Sequence, residues 1–269
     1  MDTIREIALS CLLGLVQGAT EFLPVSSSGH IELAKHLFQF PAPQLYTILL
    51  HLATLLAVAI AFHKKIIELL AGLFRIATGR KREGDDILGR LWLLLLLSTA
   101  ITAGLAIVLS RVNDSMVAEP KLIGIAFLVT GALLVFTAFF KERKNYGKMN
   151  LLDSIVIGAA QGVGVLPGIS RSGATIGAAL GMGLDRAAAA EYSFLLSIPA
   201  ILGAFLFDLK DASSLGVEIS VPALIAGMVT AFLTGLLAIY FLLKLIKSGK
   251  FYLFSFYLVP LGVAVLLFA

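Results

Sequence analysis

One segment of this sequence occurs twice, and the duplication restricts the possible folds more than any other feature. The first copy, GLVQGATEFLPVSSSGH, begins at Gly14, and the second, GAAQGVGVLPGISRSGAT, begins at Gly158. In the first copy Pro24 ends a helix, because the residue before a proline is pushed out of the α region. Serines follow as candidate N-caps of a second helix. Pairs of positions match at one constant spacing, among them Gln17 with Gln161, Gly18 with Gly162, Ser26 with Ser170, Ser28 with Ser172 and Gly29 with Gly173.

The two copies differ at the positions that carry charge. Glu21 and His30 occur only in the first copy, where the second has valine and alanine. Arg171 occurs only in the second copy, at the position that Ser27 holds in the first. Polar and ionisable groups are expensive inside a membrane and usually mark function there. The sequence therefore predicts one composite site made of two incomplete halves.

The composition identifies an integral membrane protein. Hydrophobic residues make up 59% of the 269 residues and charged residues only 14%, and the mean hydropathy is +0.97. A soluble domain of this size carries many more charges. Apolar runs of about 20 residues are long enough to cross a bilayer as helices. Six such spans are predicted: Tyr46–Phe62, Leu91–Leu109, Leu122–Phe140, Tyr192–Phe207, Val221–Leu243 and Phe251–Phe268.

Loop charges predict how these spans are threaded. Three segments are rich in Lys and Arg (63–90, 141–150 and 244–250), whereas 208–220 is acidic. By the positive-inside rule the three basic segments are cytoplasmic and the acidic one is external. Residues 1–45 then lie on the outer side and residues 151–190 on the inner side. The net charge of +4 thus reports membrane orientation, and nucleic acid is not an expected partner.

Both motif segments are therefore predicted to leave and return on the same face, as re-entrant helical hairpins over about 4–40 and 151–186. Broken backbone at membrane depth is tolerated where protein or a water-filled cavity satisfies it. The expected fold is an all-α polytopic membrane protein, a single membrane domain over 1–269. It is an inverted repeat of 1–145 and 146–269, each a hairpin plus three transmembrane helices.

The second motif is typical of a phosphate site. Helix N-termini attract anions, and a guanidinium matches phosphate oxygens in pairs. Small residues for close helix packing are the alternative explanation of its serines and threonine. The predicted phosphate-binding residues are Ser26 and Ser28 from the first copy and Ser170, Arg171, Ser172 and Thr175 from the second.

The first motif suggests a cation ligand and an acid–base group. Glu21 is the expected ligand of a hard cation such as Mg²⁺ or Ca²⁺, with Gln17 as a second oxygen donor; an ion pair with Arg171 is the alternative. His30 is a candidate general acid or base that activates Ser27, the candidate nucleophile ahead of Ser26. A metal-bound water with the serine only holding phosphate is equally compatible with the sequence.

These motifs resemble those of the undecaprenyl-diphosphate phosphatase family of bacterial membrane enzymes linked to bacitracin resistance. The family's first signature stands here as Gln17–Glu21 followed by PVSSSGH. The second stands intact as PGISRSGAT at Pro167–Thr175, followed by SFLLSIPA at Ser193–Ala200. The chain departs from the pattern at position 17, where many relatives have Glu. The resemblance covers essentially the whole chain.

The resemblance implies an inverted-repeat fold with two re-entrant hairpins. It also implies hydrolysis of undecaprenyl diphosphate to undecaprenyl phosphate and phosphate, dependent on a divalent cation, which recycles the lipid carrier for cell-wall synthesis. The expected location is the bacterial cytoplasmic (inner) membrane, with the active site opening to the outer side. Expected partners are the polyprenyl diphosphate and membrane lipids, and the oligomeric state is open between a monomer and a homodimer.

A transporter or flippase is the rival interpretation, because inverted repeats with broken helices at the midplane are also common in transporters. The asymmetry of the two copies argues against a pure transporter, since a catalytic set needs the acid and the histidine only once. His51, inside a predicted span and matched by Ser197 in the repeat, is interpreted as a residue that hydrogen-bonds either a site residue or another helix.

Overall fold

The structure is a computed structural model that describes residues 3–38, 44–208 and 219–269. Short 3₁₀ turns follow α6, precede α7 and precede α11. Eleven α-helices are described in these ranges: α1 (Thr3–Phe22), α2 (Ser27–Phe38), α3 (Gln44–Ala61), α4 (His63–Ala77), α5 (Asp85–Ala118), α6 (Pro120–Phe136), α7 (Leu151–Val163), α8 (Arg171–Gly181), α9 (Arg186–Asp208), α10 (Val221–Lys247) and α11 (Ser255–Phe268).

Within the described ranges, five segments are long and apolar enough to cross a membrane, and they contain α5, α6, α9, α10 and α11. A sixth crossing is counted if α3 and α4, which meet at an angle of 76°, form one bent span. Each predicted span coincides with one of these helices, the first of them with α3. The prediction of an all-α, multi-pass membrane protein is therefore confirmed.

The interpretation of 63–90 as a loop is wrong, because α4 occupies more than half of it. Apolar side chains recur there at helical spacing. Leu69 and Gly72 are buried on one side, while Ile67 and Phe74 are exposed. The indole Nε1 of Trp92 donates a hydrogen bond to the carbonyl of Leu69 at 2.9 Å, which ties α4 to α5. The segment between α3 and α5 thus contains a helix that packs on α5.

Both motif segments are broken helices, as predicted. α1 ends at Phe22, and residues 23–26 turn the chain into α2, which packs back against α1. The second hairpin begins with a capping box between Asn150 and Asp153, and residues 164–170 connect α7 to α8. Residues 39–40 and 209–218 lie outside the described residues. The acidic external segment and the face from which each hairpin enters therefore stay predictions.

Each hairpin packs mainly against a long helix of the other half of the chain. α1 lies along α10, and α7 lies along α5. The contacts are close enough to require small residues: a Cβ on Gly14 would lie 2.2 Å from the carbonyl oxygen of Gly227, and one on Gly158 would lie 2.7 Å from that of Ser98. α3 packs on α9 and α6 on α11, so the helix contacts repeat when the two halves are exchanged. This arrangement brings the two hairpin tips together.

Candidate functional site

The tips of the two hairpins are in direct contact. The hydroxyl of Ser26 accepts a hydrogen bond from the backbone N–H of Gly168 at 3.0 Å. The Ser172 hydroxyl, also from the second hairpin, donates to the carbonyl of Leu23 in the first at 3.2 Å. A Cβ on Gly29 would lie 2.9 Å from the Gly168 nitrogen, so only glycine allows this approach. The turn of one sequence copy therefore contacts the turn of the other.

Glu21 is the centre of the polar cluster at this contact. Its Oε2 accepts hydrogen bonds from the Ser27 hydroxyl at 2.5 Å and from the Gln17 amide at 2.9 Å. Its Oε1 accepts from the guanidinium of Arg171, which comes from the second hairpin. Glu21 is only 5% exposed, and a buried carboxylate is tolerable because a cation and several donors satisfy it. The acid, the serine and the arginine of the predicted composite site thus form one cluster.

The hydrogen bond from Ser27 to Glu21 places a carboxylate beside the serine hydroxyl. A serine hydroxyl that donates to a carboxylate has an adjacent base to receive its proton, which is how weak oxygen nucleophiles are activated. The start of α2 and the start of α8 lie beside this hydroxyl, and helix N-termini attract anions. Ser27 and Arg171 both line the same cavity. The geometry can therefore hold a phosphate between a nucleophile and a cation.

The cavity has a volume of about 750 Å³ and is lined by both polar and apolar side chains. At its rim, Lys35 forms an ion pair with Glu32 at 2.9 Å. An amphiphile with a phosphate head and a hydrocarbon tail matches this mixed lining. The polar side chains include Glu21, Ser26, Ser27, Ser28, His51, Ser170 and Arg171, and the apolar ones include Ile48, Val117, Val165, Ile169, Ile201 and Phe205.

The predicted phosphate-binding residues divide into two groups. Ser26, Ser28, Ser170 and Arg171 line the cavity. Two others contact protein. Ser172 bonds to the first hairpin, and Thr175 donates to the carbonyl of Arg171 at 2.8 Å and pairs with the hydroxyl of Ser193. Both are buried, so they stabilise the start of α8 from behind.

The predicted cation ligands are adjacent. Gln17 is fully buried, and its Oε1 has no hydrogen-bond partner among the described residues. In the described parts of the chain, no group of three or more His, Cys, Asp and Glu side chains has the arrangement of a metal site.

His30 points away from the cluster. Its Nδ1 lies 2.8 Å from the carbonyl oxygen of Ser26, and its Nε2 lies 2.7 Å from the hydroxyl of Tyr257. The ring stacks on Tyr257 and leans against Phe127. The proton acceptor that the structure places beside Ser27 is Glu21, whereas the sequence pointed to His30.

Comparison with known proteins identifies the family. The sequence profile described as "Bacitracin resistance protein BacA" matches residues 10–264. The chain belongs to the BacA family. Two curated relatives, each named "Undecaprenyl-diphosphatase", match it along nearly their whole lengths. The protein from Treponema denticola is 44% identical, over 96% of this chain and 95% of its own. The protein from Alkaliphilus metalliredigens is 40% identical, over 100% of this chain and 99% of its own.

In this BacA-family chain His51 also belongs to the cluster. Its Nε2 lies 3.5 Å from Oε2 of Glu21, and its Nδ1 lies 2.9 Å from the carbonyl oxygen of Thr47. The side chain is 29% exposed and lines the cavity. The sequence left His51 open between a hydrogen bond to a site residue and one to another helix. Its position beside Glu21 agrees with the first, and the difference from Ser197 at the matching position of the repeat is the same kind of asymmetry that singled out Glu21.

Proposed function

We propose that this protein hydrolyses undecaprenyl diphosphate to undecaprenyl phosphate and inorganic phosphate. This reaction recycles the lipid carrier of cell-wall synthesis and confers resistance to bacitracin. One observation carries the proposal: the Ser27 hydroxyl donates to Glu21, and Glu21 is paired with Arg171 of the other hairpin. The names of the BacA-family relatives support the choice of substrate.

Ser27 acts as the nucleophile in this proposal. Its Oγ forms a bond to the terminal phosphorus while the bond from that phosphorus to the bridging oxygen breaks, which releases undecaprenyl phosphate. The hydroxyl proton passes to Glu21 and then to bulk water. In the second step, water attacks the phosphorus and the bond to Oγ breaks. Glu21 accepts the proton of that water and returns it to Ser27.

Arg171 and the two helix N-termini stabilise the charge that moves through the phosphoryl group. Such positioning and charge stabilisation account for most catalysis of phosphoryl transfer. A guanidinium has five N–H donors, so Arg171 can hold Glu21 and still donate to phosphate oxygens. Ser26, Ser28 and Ser170 surround the same space, with their hydroxyls at the helix starts.

A divalent cation, Mg²⁺ or Ca²⁺, belongs to the proposal, with Glu21 and Oε1 of Gln17 as its protein ligands. The buried, unpartnered amide oxygen of Gln17 is the observation that fits such a cation. Mg²⁺ commonly binds one or two carboxylates together with substrate phosphates, which suits a site with a single central acid. When bound, it would offset the charge of the diphosphate.

The proposed location is the bacterial cytoplasmic membrane, with the cavity opening to the outer side. The basic segments 63–90 and 141–150 support this orientation, because cytoplasmic loops carry the excess of Lys and Arg. All residues of the cluster come from one chain, so a homodimer would not be needed to complete the site.

The test is release of inorganic phosphate from undecaprenyl diphosphate by the purified protein in detergent. Activity should disappear with a chelator and return with added Mg²⁺ or Ca²⁺. Ser27→Ala should lose nearly all activity, whereas Ser115→Ala, on the exposed surface of α5, should not. Substantial activity of Ser27→Ala would indicate direct attack by water. Absence of phosphate release by the folded wild type would overturn the proposal, and lipid movement across liposomes would then favour the transporter alternative.

A further inference from the structure

The turn that carries Ser27 has a strained backbone. Ser26 has φ 69°, and among the described residues it is the one non-glycine position in the left-handed region. Such a conformation persists only when the surroundings hold it in place. The Ser26 hydroxyl is held by Gly168, and its carbonyl accepts from both the backbone N–H and the ring of His30. His30 therefore constrains the peptide unit that leads into Ser27.

The partners of His30 define which ring nitrogen carries the proton. A carbonyl oxygen only accepts, so Nδ1, which faces Ser26, is the protonated nitrogen. In the neutral ring Nε2 is then an acceptor, and the hydroxyl of Tyr257 is placed to donate to it at 2.7 Å. The hydrogen bonds run in one direction, from Tyr257 through His30 to Ser26. Each donor in this chain meets an acceptor.

The ring of His30 is also fixed in orientation. It is nearly parallel to the ring of Tyr257, with an interplanar angle of 18° and centroids 5.7 Å apart. Phe127 of α6 packs on it with centroids 5.2 Å apart. α11, at the end of the second repeat, thereby reaches the turn of the first hairpin. Geometry of this kind matters because small displacements of a nucleophile reduce the rate strongly.

We propose that Tyr257 is a positioning residue, whose hydroxyl donates to Nε2 of the Nδ1–H form of His30 and through this ring holds the Ser26–Ser27 peptide in place for attack on phosphate. The catalytic part rests on the proposed function. Tyr257→Phe keeps the stacked ring and removes only the hydroxyl. We expect kcat to fall about tenfold, which corresponds to roughly 1.4 kcal/mol, with KM nearly unchanged. Tyr240→Phe, which alters an exposed tyrosine on α10, is the matched control and should leave kcat unchanged.

A second measurement reports on the coupling without any activity. The chain has four histidines, so ¹⁵N-histidine spectra can be assigned by single substitutions. In Tyr257→Phe the unprotonated Nε2 of His30 loses its hydrogen bond, so its ¹⁵N signal should shift, and the Ser27 amide signal should shift with it. Tyr240→Phe should change neither.

The outcomes separate the two proposals. An unchanged His30 Nε2 signal, or a wild-type kcat despite a shifted Nε2 signal, would overturn the role of Tyr257. In a His30→Phe background Tyr257→Phe should cost nothing further, and an additional loss would also contradict it. If the wild type releases no phosphate, the proposed function fails, while the His30 Nε2 and Ser27 amide signals still test the coupling.

Discussion

The two hairpin turns have matching sequences but different backbones. The serine before α8, Ser170, has φ −77° and caps its helix by accepting the N–H of Gly173 at 3.0 Å. Its counterpart Ser26 has φ 69°, and its hydroxyl is 3.4 Å from the N–H of Gly29. The stronger bond of the Ser26 hydroxyl is to the opposite hairpin. The second turn is thus an ordinary capped helix start, and the first is distorted to serve the contact between tips.

One matched pair of positions explains this difference. Gly168 has φ 88° and directs its N–H at Ser26, whereas the matching residue of the first copy, Pro24, has no N–H to give. The reciprocal contact is only packing, in which a Cβ on Gly173 would lie 3.2 Å from the ring of Pro24. The described hydrogen bonds between the hairpins therefore run one way, from donors in the second hairpin to acceptors in the first. The first hairpin supplies the acid and the nucleophile, and the second supplies a rigid support with the cation.

Glu21→Gln should have the largest effect, because it removes the charge that receives the Ser27 proton while keeping the shape. We expect turnover to fall by about 10³-fold, within the range for loss of a general base. Glu32→Gln is the matched control, since Glu32 lines the same cavity but is paired with Lys35 at its rim. Both variants should elute as monodisperse protein from size-exclusion chromatography. Equal losses of turnover in Glu21→Gln and Glu32→Gln would mean that Glu21 has no special chemical role in the first hairpin.

The cluster was largely predictable because its members differ between the copies. Glu21 and Arg171 have no counterpart in the other copy, so comparing the copies was enough to select them. The orientation of His30 was not predictable. Ser27 and His30 are three residues apart on α2, close enough in angle for the same face. The residue that turns His30 aside, Tyr257, lies near the other end of the chain.

The helices were predictable to a similar degree. Hydrophobic runs and the duplication located six spans and two hairpins. α4 was missed because its charged residues dominate the pattern. Lys64, Lys65 and Arg75 pointed to a cytoplasmic loop, although the apolar residues between them have helical spacing. Which side of a short amphipathic segment is covered depends on its neighbour, here α5.

Gly168→Ala tests the support function of the second turn. An added Cβ would lie 2.6 Å from the carbonyl oxygen of Ile123, and alanine is strained at φ 88°. We expect the tips to separate and turnover to fall by about 10²-fold, as for a nucleophile displaced by about 1 Å. Gly203→Ala, where an added Cβ meets open space, should keep full activity. Normal turnover of Gly168→Ala would show that the one-way hydrogen bond is dispensable.

Arg171→Lys tests whether the second hairpin contributes more than charge. Lysine keeps the positive charge but loses the forked donors that can hold a carboxylate and a phosphate together. Turnover should fall at least about tenfold, or roughly 1.4 kcal/mol of barrier. Arg186→Lys, at an arginine paired with Glu142 outside the cavity, provides the comparison and should retain activity. If Arg171→Lys keeps the wild-type kcat/KM, the positive charge at position 171 is sufficient and the forked donors are not needed.

The smallest effect is expected from the two buried glutamines that match between the copies. Both have a buried Oε1 without a partner among the described residues, but the amide N–H of Gln17 donates to Glu21, whereas that of Gln161 donates to Thr102 and to the carbonyl of Leu196. Gln17→Ala should raise the Mg²⁺ concentration for half-maximal activity several-fold, about 1 kcal/mol of lost binding, with a smaller loss of turnover than Glu21→Gln. Gln161→Ala should instead lower the thermal midpoint and leave the Mg²⁺ requirement unchanged, because its bonds join helices of the scaffold. Metal titrations and unfolding curves of both variants in one detergent measure this difference. An identical Mg²⁺ requirement for both variants would remove Gln17 from the proposed cation site and leave Glu21 as its only protein ligand.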